Sequence, residues 1–167
     1  MSSYEIIGRT FDDAAGEALD KIAKFELFCK RFIADKGLDA LAIQCWTSLQ
    51  EFFGITACTL MSMMSNGLAP SACETDIAGL VGMYALRLAS GTPAALVDWN
   101  NNYDDDPDKG VVFHCSNLPK DIFETGPATP VMSYQAIIAG TVGRDNTFGT
   151  VEGRVRIDAE RRIVAGA

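Results

Sequence analysis

Three side chains in the middle of the chain have the chemistry of a divalent-metal site. Glu74 opens a long apolar segment, Asp98 directly follows the strand-like run Ala94 to Val97, and His114 directly follows Val111 to Phe113. Ligands of open α/β sheets bind beyond the carboxyl ends of strands, so an acid ending AALVD and an imidazole ending VVFH point to one pocket rim. Two carboxylates and an imidazole suit Mn²⁺ or Mg²⁺, and the lack of a Cys/His cluster in the sequence argues against structural zinc. Each residue also has a plainer reading. Ser71-Ala72-Cys73-Glu74 matches the S-x-x-E capping box, Asp98 could start an Asx turn, and a histidine between Phe113 and Cys115 could be a satisfied core residue. Asp98 is the hardest to explain away, because an acid after Ala-Ala-Leu-Val is costly unless paired, hydrogen-bonded or bound to a cation.

Around these residues lie groups suited to a polyol. Trp99, Asn100, Asn101, Asn102 and Tyr103 read as an amide-rich loop with aromatic faces; amides bond hydroxyls and rings cover the apolar side of a sugar. An ordinary surface turn is the alternative. Gln44 and Trp46, at the end of LDALAIQC, could reach the same rim or simply pack at a strand–helix junction. Asp104, Asp105, Asp106 and Asp108 lack the glycine and terminal glutamate of an EF-hand and read as a solvated acidic turn. The five cysteines (Cys29, Cys45, Cys58, Cys73, Cys115) form an odd set without CxxC spacing and lie in apolar runs. They read as buried thiols used in packing, with Cys73 and Cys115 set apart by lying beside proposed ligands.

The elements that must position these residues follow from periodicity. Phe11 to Lys36 carries Ala15, Leu19, Ile22, Phe25, Phe28 and Phe32 at helical spacing, with a capping-box-like start at Thr10 and Asp13 and a stop at Gly37. Leu38 to Cys45 reads as a buried strand, Trp46 to Phe53 as a helix, Ala57 to Leu60 as a short strand and Met61 to Asn66 as a helical turn. Ser71 to Ser90 reads as a helix with Ile77, Leu80, Val81, Tyr84 and Leu88 on one face and Gly91-Thr92-Pro93 as its stop. This order predicts an α/β fold, a three-layer sandwich on a short, mostly parallel sheet. A composition shift near Thr125 to Pro130 divides it into residues 1–125, the α/β domain, and residues 126–167, a small β-rich C-terminal remnant with strands at Tyr134 to Val142 and Thr147 to Ile157.

Composition narrows the partners. The 167 residues are 48% apolar, enough for one core. The 14 basic and 22 acidic residues give a net charge of −8 with no basic cluster, which disfavours nucleic acid and anionic membrane. No stretch reaches the roughly 18 apolar residues of a membrane span, and MSSYEIIGRT lacks the pattern of a signal peptide, so a cytoplasmic location is expected. A flavodoxin-like nucleotide binder is disfavoured because no glycine-rich phosphate loop follows the first strand.

The run CETDIAGLVGMYALRLASGTPAALVDWNNNYDDDPDKGVVFHCSNLP resembles the central block of the L-fucose isomerase family, which is related to L-arabinose isomerase. The segments LDALAIQCWTSLQEFFGITACTLMSMMSNG and YQAIIAGTVGRDNTFGTVEGR are similar to family sequence as well. The resemblance implies a Mn²⁺-dependent aldose–ketose isomerase of the L-fucose/D-arabinose type, in which Glu74 and Asp98 ligate the metal. They would also carry the proton between C1 and C2 through an ene-diol. A histidine near the place of His114 binds metal in the arabinose branch, whereas the fucose branch takes that ligand from much later in the chain. Family enzymes are several times longer, and this sequence holds a single histidine. A fragment, split subunit or decayed homologue is therefore expected, assembling as a homo-oligomer or with a partner chain that supplies the missing domain. A non-catalytic sugar-binding or assembly module with the same fold is the competing expectation.

Overall fold

A computed structural model of the chain describes residues 13–45, 48–55, 57–114, 117–122, 129–134 and 147–152. The first element, α1 (Asp13–Lys36), ends because Gly37 takes a left-handed φ of 62°. The Leu38 N–H then reaches the Ile33 carbonyl and the Gly37 N–H the Ala34 carbonyl, the paired bonds that close a helix at a left-handed residue. Its buried stripe is Ile22, Phe25, Cys29 and Ile33, while Leu19, Phe28 and Phe32, expected to face inward, are exposed. Thr10 lies outside the described residues.

Leu41–Ala42 forms β1, which pairs in parallel with β2 (Ser71–Ala72), Leu41 opposite Ser71 and Ala42 opposite Ala72. Between them run α2 (Ser48–Phe53) and α3 (Cys58–Asn66). The expected strand over Ala57 to Leu60 is therefore helix. A short apolar run reads the same for a buried strand and a buried helix, and here burial continues through Met61 and Met64 as α3 wedges against α1. Ile22, Cys29, Ile55, Leu60 and Met64 make the main core.

The helix expected from Ser71 begins later. Ser71 and Ala72 are spent on the parallel strand, and α4 runs from Ile77 to Ser90, capped by Asp76, whose Oδ1 accepts the Gly79 N–H at 2.7 Å. Gly91, left-handed at φ 67°, ends it where expected. Its inward residues are Leu80, Met83 and Leu86, packed with Ala72, Ala94 and Leu96. Ile77, Val81 and Leu88, expected on the core face, are exposed. α4 is apolar nearly all round, so composition did not mark which face turns in.

After α4 the chain forms an antiparallel hairpin of β3 (Asp98–Tyr103) and β4 (Asp106–Phe113). This corrects three expectations. Ala94 to Val97 lies outside the strands, the expected polar loop from Trp99 to Gly110 is mostly strand, and Val111 and Val112 are exposed rather than buried. Asn and Asp are poor strand formers, so the polar composition read as loop while cross-strand pairing decided otherwise.

Residues 117–122, with a 3₁₀ turn at Lys120–Ile122, are stitched to α3. The Ser62 hydroxyl donates to the Leu118 carbonyl at 2.6 Å, and Asn66 and Asp121 exchange two bonds of 2.9 Å. β5 (Thr129–Tyr134) pairs antiparallel with β6 (Thr147–Glu152), and β6 lies against α1 and α3. The expected strand from Tyr134 to Val142 shares only Tyr134 with β5, its other residues lying outside the described ones. The architecture is thus α/β, with, among the described residues, one two-stranded parallel sheet and two antiparallel strand pairs.

Candidate active site

Glu74 sits in the loop between β2 and α4, exposed, with a left-handed φ of 58° that Thr75 repeats. Two successive non-glycine residues in this conformation cost on the order of 1 kcal/mol or more each and persist where their surroundings over-determine them. The surroundings here are bonds from the Asp76 N–H to the Cys73 carbonyl and from the Thr75 N–H to the Ile43 carbonyl, which tie the loop to the end of β1. Because Asp76 is the capping acid, Glu74 is not consumed in capping α4.

Asp98 is the first residue of β3 and is exposed. What fixes it is the segment just before: Leu96 packs against the first turn of α4, so closely that a Cβ on Gly79 would come within 2.7 Å of a Leu96 methyl. The chain leaves the Glu74 loop, runs down α4, and returns antiparallel past Gly79. Glu74 thus lies two residues before the cap of α4, and Asp98 two residues after the Leu96 that packs on its first turn.

His114, half-buried, directly follows Phe113, the cross-strand partner of Asp98. Trp99 pairs with Val112, and its ring lies over Gly110, where a Cβ would meet the indole at 2.9 Å. The register shifts between Trp99 and Asn101, leaving Asn100 as the extra residue of a bulge. Trp99, Asn100 and Asn101 are all exposed along β3. Gln44 is exposed beyond β1, and Trp46 lies outside the described residues.

One acid of the turn, Asp106, is paired with a lysine. The Lys109 ammonium bonds the Asp106 carboxylate at 2.6 Å and, with the Asp108 N–H, holds its carboxyl below the usual carboxylate range. Lys109 also lies 5.7 Å from the Tyr103 ring centre.

Among the described residues, the one group of three metal-capable side chains whose ligand atoms lie within 4.8 Å of one another is Cys45, Cys58 and Cys73, all buried. Glu74, Asp98 and His114 do not form such a group. The donor types of these three fit a hard divalent cation, but their side chains are not gathered into one coordination sphere, so no catalytic step is derived through a metal. The cysteine cluster is what sequence reasoning missed. Its members come from three separate elements with no motif spacing, and the only signal was the placement of Cys45 and Cys73 just after the two apolar runs that pair in parallel.

No family model matches the chain, and no solved structure does. Curated proteins do, and they are named as isomerases of a sugar. One from Priestia aryabhattai, named sulfoquinovose isomerase, is 30% identical over 111 residues, covering 66% of this chain and 24% of that protein. A protein of the same name from Alkalicoccus urumqiensis is 33% identical over 105 residues, 62% of this chain and 23% of its own. The matched stretch thus spans about a quarter of the length of these relatives. Among the described residues no helix is long and apolar enough to cross a membrane.

Proposed function

We propose that the chain carries the proton-handling carboxylates of an aldose–ketose isomerase, with Glu74 and Asp98 in that role. The observation that supports this reading is the path of the chain from Glu74 down α4 and back past Gly79, where Leu96, two residues before Asp98, packs on the first turn of the helix. The likeness to proteins named sulfoquinovose isomerase supplies the reaction class. Isomerisation removes the proton on C2 of an open-chain aldose and returns a proton to C1, while a hydroxyl proton moves between O2 and O1 through an ene-diol. Two carboxylates can serve as base and acid in turn. Glu74, Asp98 and His114 have the donor types for Mn²⁺ or another divalent cation, which would polarise the sugar carbonyl, but holding one would require the three side chains to be drawn together.

Trp99, Asn100 and Asn101 lie beside Asp98 on an exposed strand and supply a ring face and amides for sugar hydroxyls, with Gln44 and Trp46 as further candidates. The substrate is either a pentose or 6-deoxyhexose of the L-fucose/D-arabinose type or a sugar of the kind the relatives are named for. The test is deuterium exchange at C2 in heavy water with L-fucose, D-arabinose and sulfoquinovose. One sugar should exchange, and Glu74→Gln and Asp98→Asn should each lower the rate by about 10²-fold or more. Sugar binding without exchange would instead favour a non-catalytic sugar-binding module, the reading that the exposed Trp99 supports.

A further inference from the structure

We propose that Cys45, Cys58 and Cys73 form a structural site for a thiophilic d¹⁰ cation, Zn²⁺ by preference. The sulfurs of Cys45 and Cys73 are 2.9 Å apart, those of Cys58 and Cys73 3.9 Å, and all three lie within 4.8 Å of one another. A central ion at roughly the 2.3 Å zinc–thiolate distance fits a triangle of this kind once its shortest edge opens by about 1 Å. Thiols are weak hydrogen-bond donors and acceptors, whereas thiolates are strong ligands for a d¹⁰ cation. A disulfide would use two of them and leave the third. A cation uses all three.

The surroundings favour a thiolate-bound ion. The cysteines are at most 1% exposed and are packed by Ala57, Met61, Phe25, Ile43 and Leu49, a dry shell that strengthens metal–thiolate attraction. Cys58 is the first residue of α3, where the helix dipole stabilises negative charge. Three thiolates leave a net charge of −1 around Zn²⁺ and −2 around Cu⁺, and an apolar shell tolerates the smaller charge better. The ion would clamp the segment after β1, the segment after β2 and the start of α3. Those are the supports of the strained Glu74–Thr75 loop. The proposal stands apart from the carboxylate reading, because none of its ligands is an oxygen.

Since the thiols are shut off from solvent, the ion must enter as the chain folds. The 167-residue chain is therefore refolded from urea under reductant with one equivalent of Co²⁺ as a spectroscopic stand-in, then with Zn²⁺. The expected result is a thiolate-to-cobalt absorption band at one ion per chain, displaced by Zn²⁺. Cys45→Ser, Cys58→Ser and Cys73→Ser should each weaken binding at least tenfold, while Cys29→Ser leaves it unchanged. A folded wild-type chain with no such band overturns the proposal whatever the variants do. So does binding that survives the three serine variants, or a Cys45–Cys73 disulfide recovered from Zn²⁺-refolded protein.

Discussion

Asp76 and Glu74 divide between them the work that the sequence pattern assigns to one acid. Removing the Asp76 carboxylate leaves the Gly79 N–H without its cap, so Asp76→Ala should lower stability by about 1 kcal/mol, read as a shifted urea midpoint at constant slope. Glu74→Gln touches no such bond and should leave the midpoint nearly unmoved. Equal losses from the two would mean that Glu74 has a structural partner. Cys29 yields a second residue-level expectation. Burial first, and the Glu26 carboxylate second, push its thiol above the ordinary range. It should therefore stay protonated and resist iodoacetamide at pH 8, where an unhindered thiol is labelled readily. Rapid labelling of Cys29 in the folded chain would contradict its placement in the core.

Among the elements, α1 and α3 carry the core, and Leu60, wholly buried at their contact, is its most sensitive reporter. Leu60→Ala should cost about 2–5 kcal/mol in urea unfolding, whereas truncating the exposed Phe52 should cost far less. The short segment at 117–122 adds a pH dependence. Lys120, opposed by burial and helped to a lesser degree by Asn66, holds the Asp121 carboxyl below its usual range. A depressed folded value means stabilisation present at neutral pH and lost as pH falls through that value, so the small deficit of Asn66→Ala should fade below about pH 4. What was legible from the residues follows the strength of the local signal. α1, the stop at Gly37 and the stop at Gly91 were readable because periodicity and left-handed glycines act locally. The hairpin from Asp98 to Phe113 was not, because Asn100 and Asp108 oppose strand formation and only pairing across the ladder offsets that. Ser71 likewise matched a cap by pattern, yet its pairing with Leu41 prevailed.

At the scale of the whole molecule, large apolar side chains remain on the outside of three helices, α1, α2 and α4. Phe28 and Phe52 are 60% and 84% exposed, and Ile77, Val81 and Leu88 form an uncovered stripe on α4. Apolar area of this kind marks a contact surface, and the relatives the chain matches are about four times as long as the matched stretch. The isolated chain should self-associate with rising concentration in sedimentation, and Phe52→Ser with Val81→Ser should reduce that; a strictly monomeric wild type would show these faces to be tolerated in water. The isomerase reading rests on Glu74 and Asp98 both handling the proton of one open-chain sugar. Deuterium exchange at C2 of the sugar in heavy water tests this most directly. Exchange by the wild-type chain, lowered about 10²-fold or more by Glu74→Gln and by Asp98→Asn alike, is the predicted result, and exchange indifferent to either change would contradict it.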